Sequence, residues 1–213
     1  MSLTNRVRSF LAPDLAHVIE LQDTLTNLIL RDQAGPQTLA GFLDSLDHRG
    51  RLAALRGLGG RAQERLYDLV DGFRPITVDD LVPPAVGAQQ EVRHHGKNSL
   101  PAFNFFEKRF LRPEIDAREL WGYNFQDLRP ITGPGYFVAY DNPARGEVDV
   151  DYTRVPPEAP FGWPPVQPND QGLSTLVYAH MVDKLRGLTS QVSIGRAWKK
   201  GQIQSAWFVL CRE

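Results

Sequence analysis

The hydrophobic period changes near residue 115: before it apolar residues recur at helical spacing, and after it they alternate. A chain with that switch must place a helical region ahead of short antiparallel strands, an α+β arrangement without βαβ crossovers. From Asp14 the set Leu15, Val18, Ile19, Leu25, Leu28 and Ile29 follows a helical repeat, with Asp14 as N-cap after Pro13 and an end near Gly35-Pro36. A second helix begins at Thr38 and places Leu39, Phe42, Leu43 and Leu46 on one face. Shorter helical patterns follow from Leu52 to Leu55 and from Ala62 to Val70, where Gly72 is a stop. The GLGG stretch at 57 to 60 has no strand before it and no phosphate-loop lysine or hydroxyl after it, so it is a helix-to-helix turn. Residues 73 to 90, FRPITVDDLVPPAVGAQQ, form a Pro- and Gly-rich connector with one short helical turn around Val78 to Leu81.

Beyond residue 115, GYFVAYDNPARGEVDVDYTRV contains two extended runs separated by Asp141 to Gly146. Val148, Val150 and Tyr152 alternate with Glu147, Asp149, Asp151 and Thr153, which predicts a hairpin with a solvated acidic outer face in preference to a calcium site. TSQVSIGRAW, the KKGQ turn and IQSAWFVLCRE make a second hairpin, and Trp121, Tyr123 and Phe125 alternate in a further strand. Strands without helix-length crossovers point to a sheet that curls into a barrel or half-barrel. The six prolines of PPEAPFGWPPVQPND, 156 to 170, exclude regular structure there; Phe161 and Trp163 pin this loop to the surface or, as the second choice, make it a pocket lid. LSTLVYAHMVDKLRG, 173 to 187, spaces Leu173, Leu176, Val177, His180, Met181 and Leu185 as a helix, or a strand breaking into a helix. His180 then lies on its apolar face, with Asp183 and Arg186 as a local ion pair.

The stretch HHGKNSLPAFNFFEKRF, 94 to 110, concentrates chemistry-bearing residues. Ser99 can cap a helix with Pro101 in its first turn and Phe103, Phe106 and Phe110 on one face. Five basic residues (Arg93, Lys97, Lys108, Arg109, Arg112) stand against Glu91 and Glu107. Aromatic plus basic residues can stack single-stranded bases, but they equally describe an amphipathic helix that plugs a β-structure, and the plug is preferred. Adjacent histidines diverge in direction, and no cysteine or His-x-x-x-His partner is present, so no metal site is expected. His94 and His95 read as a polar turn entering the helix, or else as a substrate-facing acid/base pair with Lys97 or Asn98 binding an anion or carbonyl.

A formal net charge of -1 provides no field for nucleic acid or an anionic membrane. The lone Cys211 rules out an intrachain disulfide and makes a reducing cytoplasm the simplest setting. No signal-peptide run and no stretch of about 18 apolar residues is present, so a soluble, unexported protein is expected. Neither a nucleophile elbow nor a dinucleotide Gly-x-Gly-x-x-Gly occurs, and no cofactor is expected.

The order Tyr178, Asp183, Arg186, Ile194-Gly195, Lys200-Gly201, then Phe208, Leu210, Arg212 and Glu213 resembles the end of a bacterial and fungal domain of unknown function that follows a Gly-x-Trp-x-Gly module. The similarity spans about the last 40 residues, and the chain lacks Gly-x-Trp-x-Gly itself, with WGYNF at 121 to 125 as a distant counterpart. The resemblance implies a lipocalin-like β-structure and no assigned activity. We therefore expect a helical region over 1 to 115, including the connector and an aromatic-basic helix at 99 to 111, and an antiparallel barrel or half-barrel over 116 to 213. The expected function is binding of a small apolar or amphipathic molecule such as a lipid. Trp121, Tyr123, Tyr136, Tyr152, Trp163, Trp198 and Trp207 would form the wall, with Arg154 and Arg196 for a carboxylate or carbonyl. The alternatives are an acid/base isomerase, lyase or hydrolase using His94, His95 or His180, and a protein-protein interaction module.

Overall fold

The computed structural model describes residues 15–31, 34–100, 104–126, 133–172 and 174–213. The expected cap at Asp14, and Pro101, Phe103 and Leu173, lie outside the described residues. Among the described residues four helices come first: α1 (Leu15–Leu30), α2 (Pro36–Asp44), α3 (His48–Arg56) and α4 (Gly60–Leu69). Asp47 caps α3 by accepting from the Gly50 amide at 2.7 Å, and residues 57 to 59 are the expected turn between α3 and α4. In the connector, α5 (Val78–Leu81) forms where the sequence predicts one helical turn. The Asp80 carboxylate accepts from the Thr77 amide at 3.0 Å, and Asp141 ties the start of α5 to the sheet by accepting from the Val78 amide at 2.7 Å.

Eight antiparallel strands then close into a barrel, each paired with its sequence neighbour and the last with the first. They are β1 (Val92–Asn98), β2 (Phe105–Leu111), β3 (Glu119–Phe125), β4 (Tyr136–Asn142), β5 (Glu147–Asp151), β6 (Met181–Gly187), β7 (Val192–Lys199) and β8 (Gln202–Arg212). A four-residue helix, α6 (Ser174–Val177), precedes β6. Closure gives every strand two partners and leaves no sheet edge to protect.

The barrel therefore begins at Val92 and not at 116, and within the expected helix of 99 to 111 the chain forms β2 from Phe105 to Leu111. Phe106 and Phe110 are four apart, a spacing that serves one face of a helix and one face of a strand equally well; pairing with β1 and β3 on either side decides for the strand. Met181 and Leu185 carry the same ambiguity, and only 174 to 177 of the expected helix forms. His180 is consequently not on an apolar helix face but exposed, with φ +59° in the turn before β6. Asp183 and Arg186 fall on opposite faces of β6, so they do not pair: Asp183 points inward to Lys108 and Arg186 outward to Glu147.

Two large apolar clusters organise the molecule, beside a small one of Leu111, Trp121 and Val138 under Trp163. One lies outside the barrel, where α1 to α4 pack on Leu188, Val192, Ile194, Trp207, Val209 and Cys211. The other fills one end of the interior, where Ile76, Val78, Leu81 and Val82 of the connector meet Phe110, Leu120, Val148 and Leu185. The connector is thus the plug. The acidic row of β5 does face outward, but Glu147, Asp149 and Asp151 are buried and not solvated. Arg186 reaches Glu147 at 2.8 Å, Lys184 reaches Asp149 at 3.1 Å, and the Thr153 hydroxyl donates to Asp151 at 2.7 Å. Among the described residues no helix is long and apolar enough to cross a membrane, and no three His, Cys, Asp or Glu side chains gather as metal ligands.

Candidate binding cavity

The end of the barrel opposite the plug is hollow. Asn98 at the end of β1, Phe106 and Lys108 of β2, Asn124 of β3, Tyr152 just past β5, and inward residues of β6, β7 and β8 surround a cavity of about 380 Å³. Its walls are the rings of Phe106 and Phe208 with Met181, Ala197 and Ala206. Val177 and Tyr178 of the α6 segment stand beside it, and Asn98, Gln126, Lys199 and Gln204 bring polar groups to its lining.

At its floor lies a charged cluster that alternation builds. Phe106, Lys108 and Phe110 share the inner face of β2, and Met181, Asp183 and Leu185 that of β6. The Lys108 Nζ donates to Asp183 Oδ2 at 3.0 Å, to Asn124 Oδ1 at 3.2 Å and to the Tyr152 hydroxyl. The Tyr152 hydroxyl lies 3.3 Å from Asp183 Oδ2, and Asn124 Nδ2 donates to the Tyr152 hydroxyl at 3.0 Å and to the Gly135 carbonyl at 3.3 Å. Four rings surround the Lys108 nitrogen, those of Tyr152 at 4.9 Å, Phe137 and Phe208 at 5.0 Å and Phe106 at 5.8 Å. Side-chain exposure is 2% for Lys108 and 4% for Asp183. Burial pulls the lysine below its ordinary pKa, against the opposing attraction of Asp183. Burial likewise pushes Asp183 above the usual carboxylate range, with Lys108 opposing, and holds the Tyr152 phenol well above its ordinary value. All three groups are driven toward their neutral forms.

Of the sequence-predicted wall, only Tyr152 lines this cavity. Because Asn124 points inward, Trp121 and Tyr123 point outward, and Tyr136 joins them beneath the 156 to 170 loop. Trp163 of that loop packs on Tyr123 with ring centroids 4.7 Å apart, whereas Phe161 is fully exposed, so a single aromatic pins the loop and does so on the outer surface. Trp207 belongs to the layer under the helices, and Arg196 stacks over it at 4.8 Å. Trp198 faces outward beside Lys184 at 5.3 Å, and Arg154 pairs with Glu119 at 2.8 Å on the surface.

The candidate histidines do not converge either. His94 is buried at the plugged end with Nε2 2.9 Å from the Leu81 carbonyl. His95 faces out, 3.8 Å from Glu107 and with its ring centroid 5.9 Å from that of His48. His180 stays exposed in its turn. Lys108, Asp183 and Asn124 were not singled out as site residues from the sequence. The signal for Lys108 and Asp183 is a charged residue at the centre of a period-two apolar run, F-x-K-x-F and M-x-D-x-L, which a helical assignment hides; Asn124 carries no such signal.

The molecule belongs to the class of closed eight-stranded antiparallel barrels, here with a hollow end and an ion pair at the floor of the hollow. No family model, curated protein or solved structure matches the chain.

Proposed function

We propose that the protein binds a small apolar or amphipathic molecule end-on in the barrel cavity, as a lipocalin-like carrier does. The observation that carries this is the cavity itself. A hollow of about 380 Å³, walled by aromatic and aliphatic side chains and ending in convergent polar groups, has the size and lining of a small-molecule site. An apolar body entering it would leave water, and a hydrogen-bonding head group would meet Asn124, Tyr152 and Lys108 at the floor. The single cysteine supports a cytoplasmic setting for such a carrier.

The test is native mass spectrometry of the protein purified from its host, followed by extraction of whatever travels with it. A bound molecule near one per chain is expected in the wild type. It should be absent from Ala206→Trp, which fills the cavity from a wall position, while the circular dichroism of the variant stays unchanged. A wild-type mass that remains unliganded after exposure to a metabolite extract would sink the proposal.

A further inference from the structure

We propose that Lys108 captures carbonyl compounds: its Nζ forms a Schiff base with an aldehyde or ketone that enters the barrel, with Asp183 as proton donor and then as counter-ion. This rests on the binding role above and goes beyond it by naming the reactive group of the ligand. Three features of the cluster carry it. Lys108 lies on the floor of the cavity, where the leading end of an entering molecule arrives. Asp183 Oδ2 sits 3.0 Å from the nitrogen, close enough to exchange a proton with it or with an oxygen bound beside it. Four aromatic rings surround the nitrogen and exclude the water that would hydrolyse an imine.

Burial adds support, since its downward pull on the lysine favours the free amine, the only nucleophilic form, and its upward push on Asp183 favours the protonated acid. The Nζ lone pair forms a bond to the carbonyl carbon, and the π pair moves to oxygen, which takes the Asp183 proton. The nitrogen then returns one proton to Asp183; the hydroxyl takes that proton and leaves as water while the nitrogen lone pair forms the C=N bond, so a carbonyl and an amine become a protonated imine and one water, with Asp183 left as the carboxylate. Asp183 is then the counter-ion of the iminium, and it recovers its proton where the imine becomes neutral. Tyr152 and Asn124, both hydrogen-bonded to Nζ, hold the amine in place and are positioning residues.

The experiment treats the full chain with cinnamaldehyde, hexanal or decanal, reduces with borohydride and maps the adduct by peptide mass spectrometry. Cinnamyl alcohol, which cannot form an imine, serves in parallel as a non-covalent probe followed by calorimetry. The expected result is one reduced adduct per chain, on Lys108, at an occupancy well above that of Lys97, Lys184, Lys199 or Lys200, which lack its enclosure beside Asp183. Lys108→Met should bind cinnamyl alcohol and give no adduct at this position. Asp183→Asn should trap the aldehyde about a hundredfold more slowly, the scale of a lost general acid, with its thermal transition retained.

If cinnamyl alcohol binds while label spreads over surface lysines, Schiff-base capture is overturned and carriage stands. If neither alcohol nor aldehydes bind, both fall. Should Lys108→Met fail to fold, the wild-type peptide map decides alone.

Discussion

His94 is 1% exposed at the plugged end of the barrel, its ring edge-on to Phe110 with centroids 4.9 Å apart and its Nδ1 without a hydrogen-bond partner among the described residues. Burial lowers its pKa from 6.5 to about 4, against the opposing Leu81 hydrogen bond, so the folded protein holds a neutral ring where the unfolded chain would carry a charge. Between those two values the unfolded chain binds the extra proton, and stability is lost as the pH falls through that window. The shift corresponds to roughly 2 kcal/mol of stability lost by this residue between pH 7 and pH 5. His94→Gln should therefore be less stable than the wild type at pH 7 but lose less on acidification, as urea midpoints at both pH values would reveal. Equal losses in the two proteins would show that His94 does not carry the effect. The same neutrality argues against His94 as the acid/base residue that its place beside His95 advertises. Adjacency in a strand sends the two rings to opposite faces, one inside the barrel and one outside.

At the level of the strand, three inward glycines each face an aromatic ring directly across the ladder: Gly96 opposite Phe106, Gly122 opposite Phe137 and Gly195 opposite Phe208. A Cβ at these positions would lie 2.5, 2.2 and 2.2 Å from the ring, so each phenylalanine lies flat over bare backbone rather than standing into the hollow. Gly122 has the least room to adjust, because the Arg109 carbonyl is also 2.7 Å from the added carbon. Gly122→Ala should destabilise by about 2 kcal/mol through overpacking. Gly41→Ala, in α2 with nothing within 4 Å, should stabilise by about 0.5–1 kcal/mol. Thermal melts of the two variants in parallel check this, and a neutral Gly122→Ala would refute the close-contact account. The glycines also explain what the sequence hid. The hairpins β4–β5 and β7–β8 are legible because Asn, Pro and Gly turns bound them. The four-residue spacings of Phe106 with Phe110 and of Met181 with Leu185 fit either period, so β2 is hidden and β6 is legible only as the alternative of a strand joined to a helix. β1, rich in polar residues, reads as a turn. Register was harder still. Helices and the proline loop cover much of the outer face, so β3 is buried along both faces and its large aromatics, Trp121 and Tyr123, claim the inside on size alone. Gly122 and Asn124 are inside because the ring of Phe137 and the Lys108 cluster need the space and the amide.

For the molecule as a whole, the question is whether the helical layer and the barrel are separate folding units, as an expected boundary at residue 115 would imply. Their shared cluster argues that they are one. Leu188, Val192, Ile194, Trp207, Val209 and Cys211 are core residues only while α1 to α4 lie over them, and Arg51 of α3 bonds the Leu43 carbonyl at 3.1 Å, the Leu46 carbonyl at 2.9 Å and the Gln191 side chain in the β6–β7 connection. Losing the helices would bare a contiguous apolar strand face, which water penalises at about 25 cal/mol per Å². Cys211 makes this measurable, being the chain's single cysteine, 0% exposed, with burial pushing its thiol up to about 11. A thiol reagent should be nearly inert toward the native protein. Across a urea series its reaction should set in at the same denaturant concentration at which the near-ultraviolet circular dichroism of the barrel aromatics collapses, because no state with the helices released and the barrel intact is stable enough to populate. Labelling that begins well below that concentration would separate the two layers. It would mean that the barrel keeps its interior packing without the helices, and that the plugged end and the Lys108 cavity owe their geometry to strand closure alone.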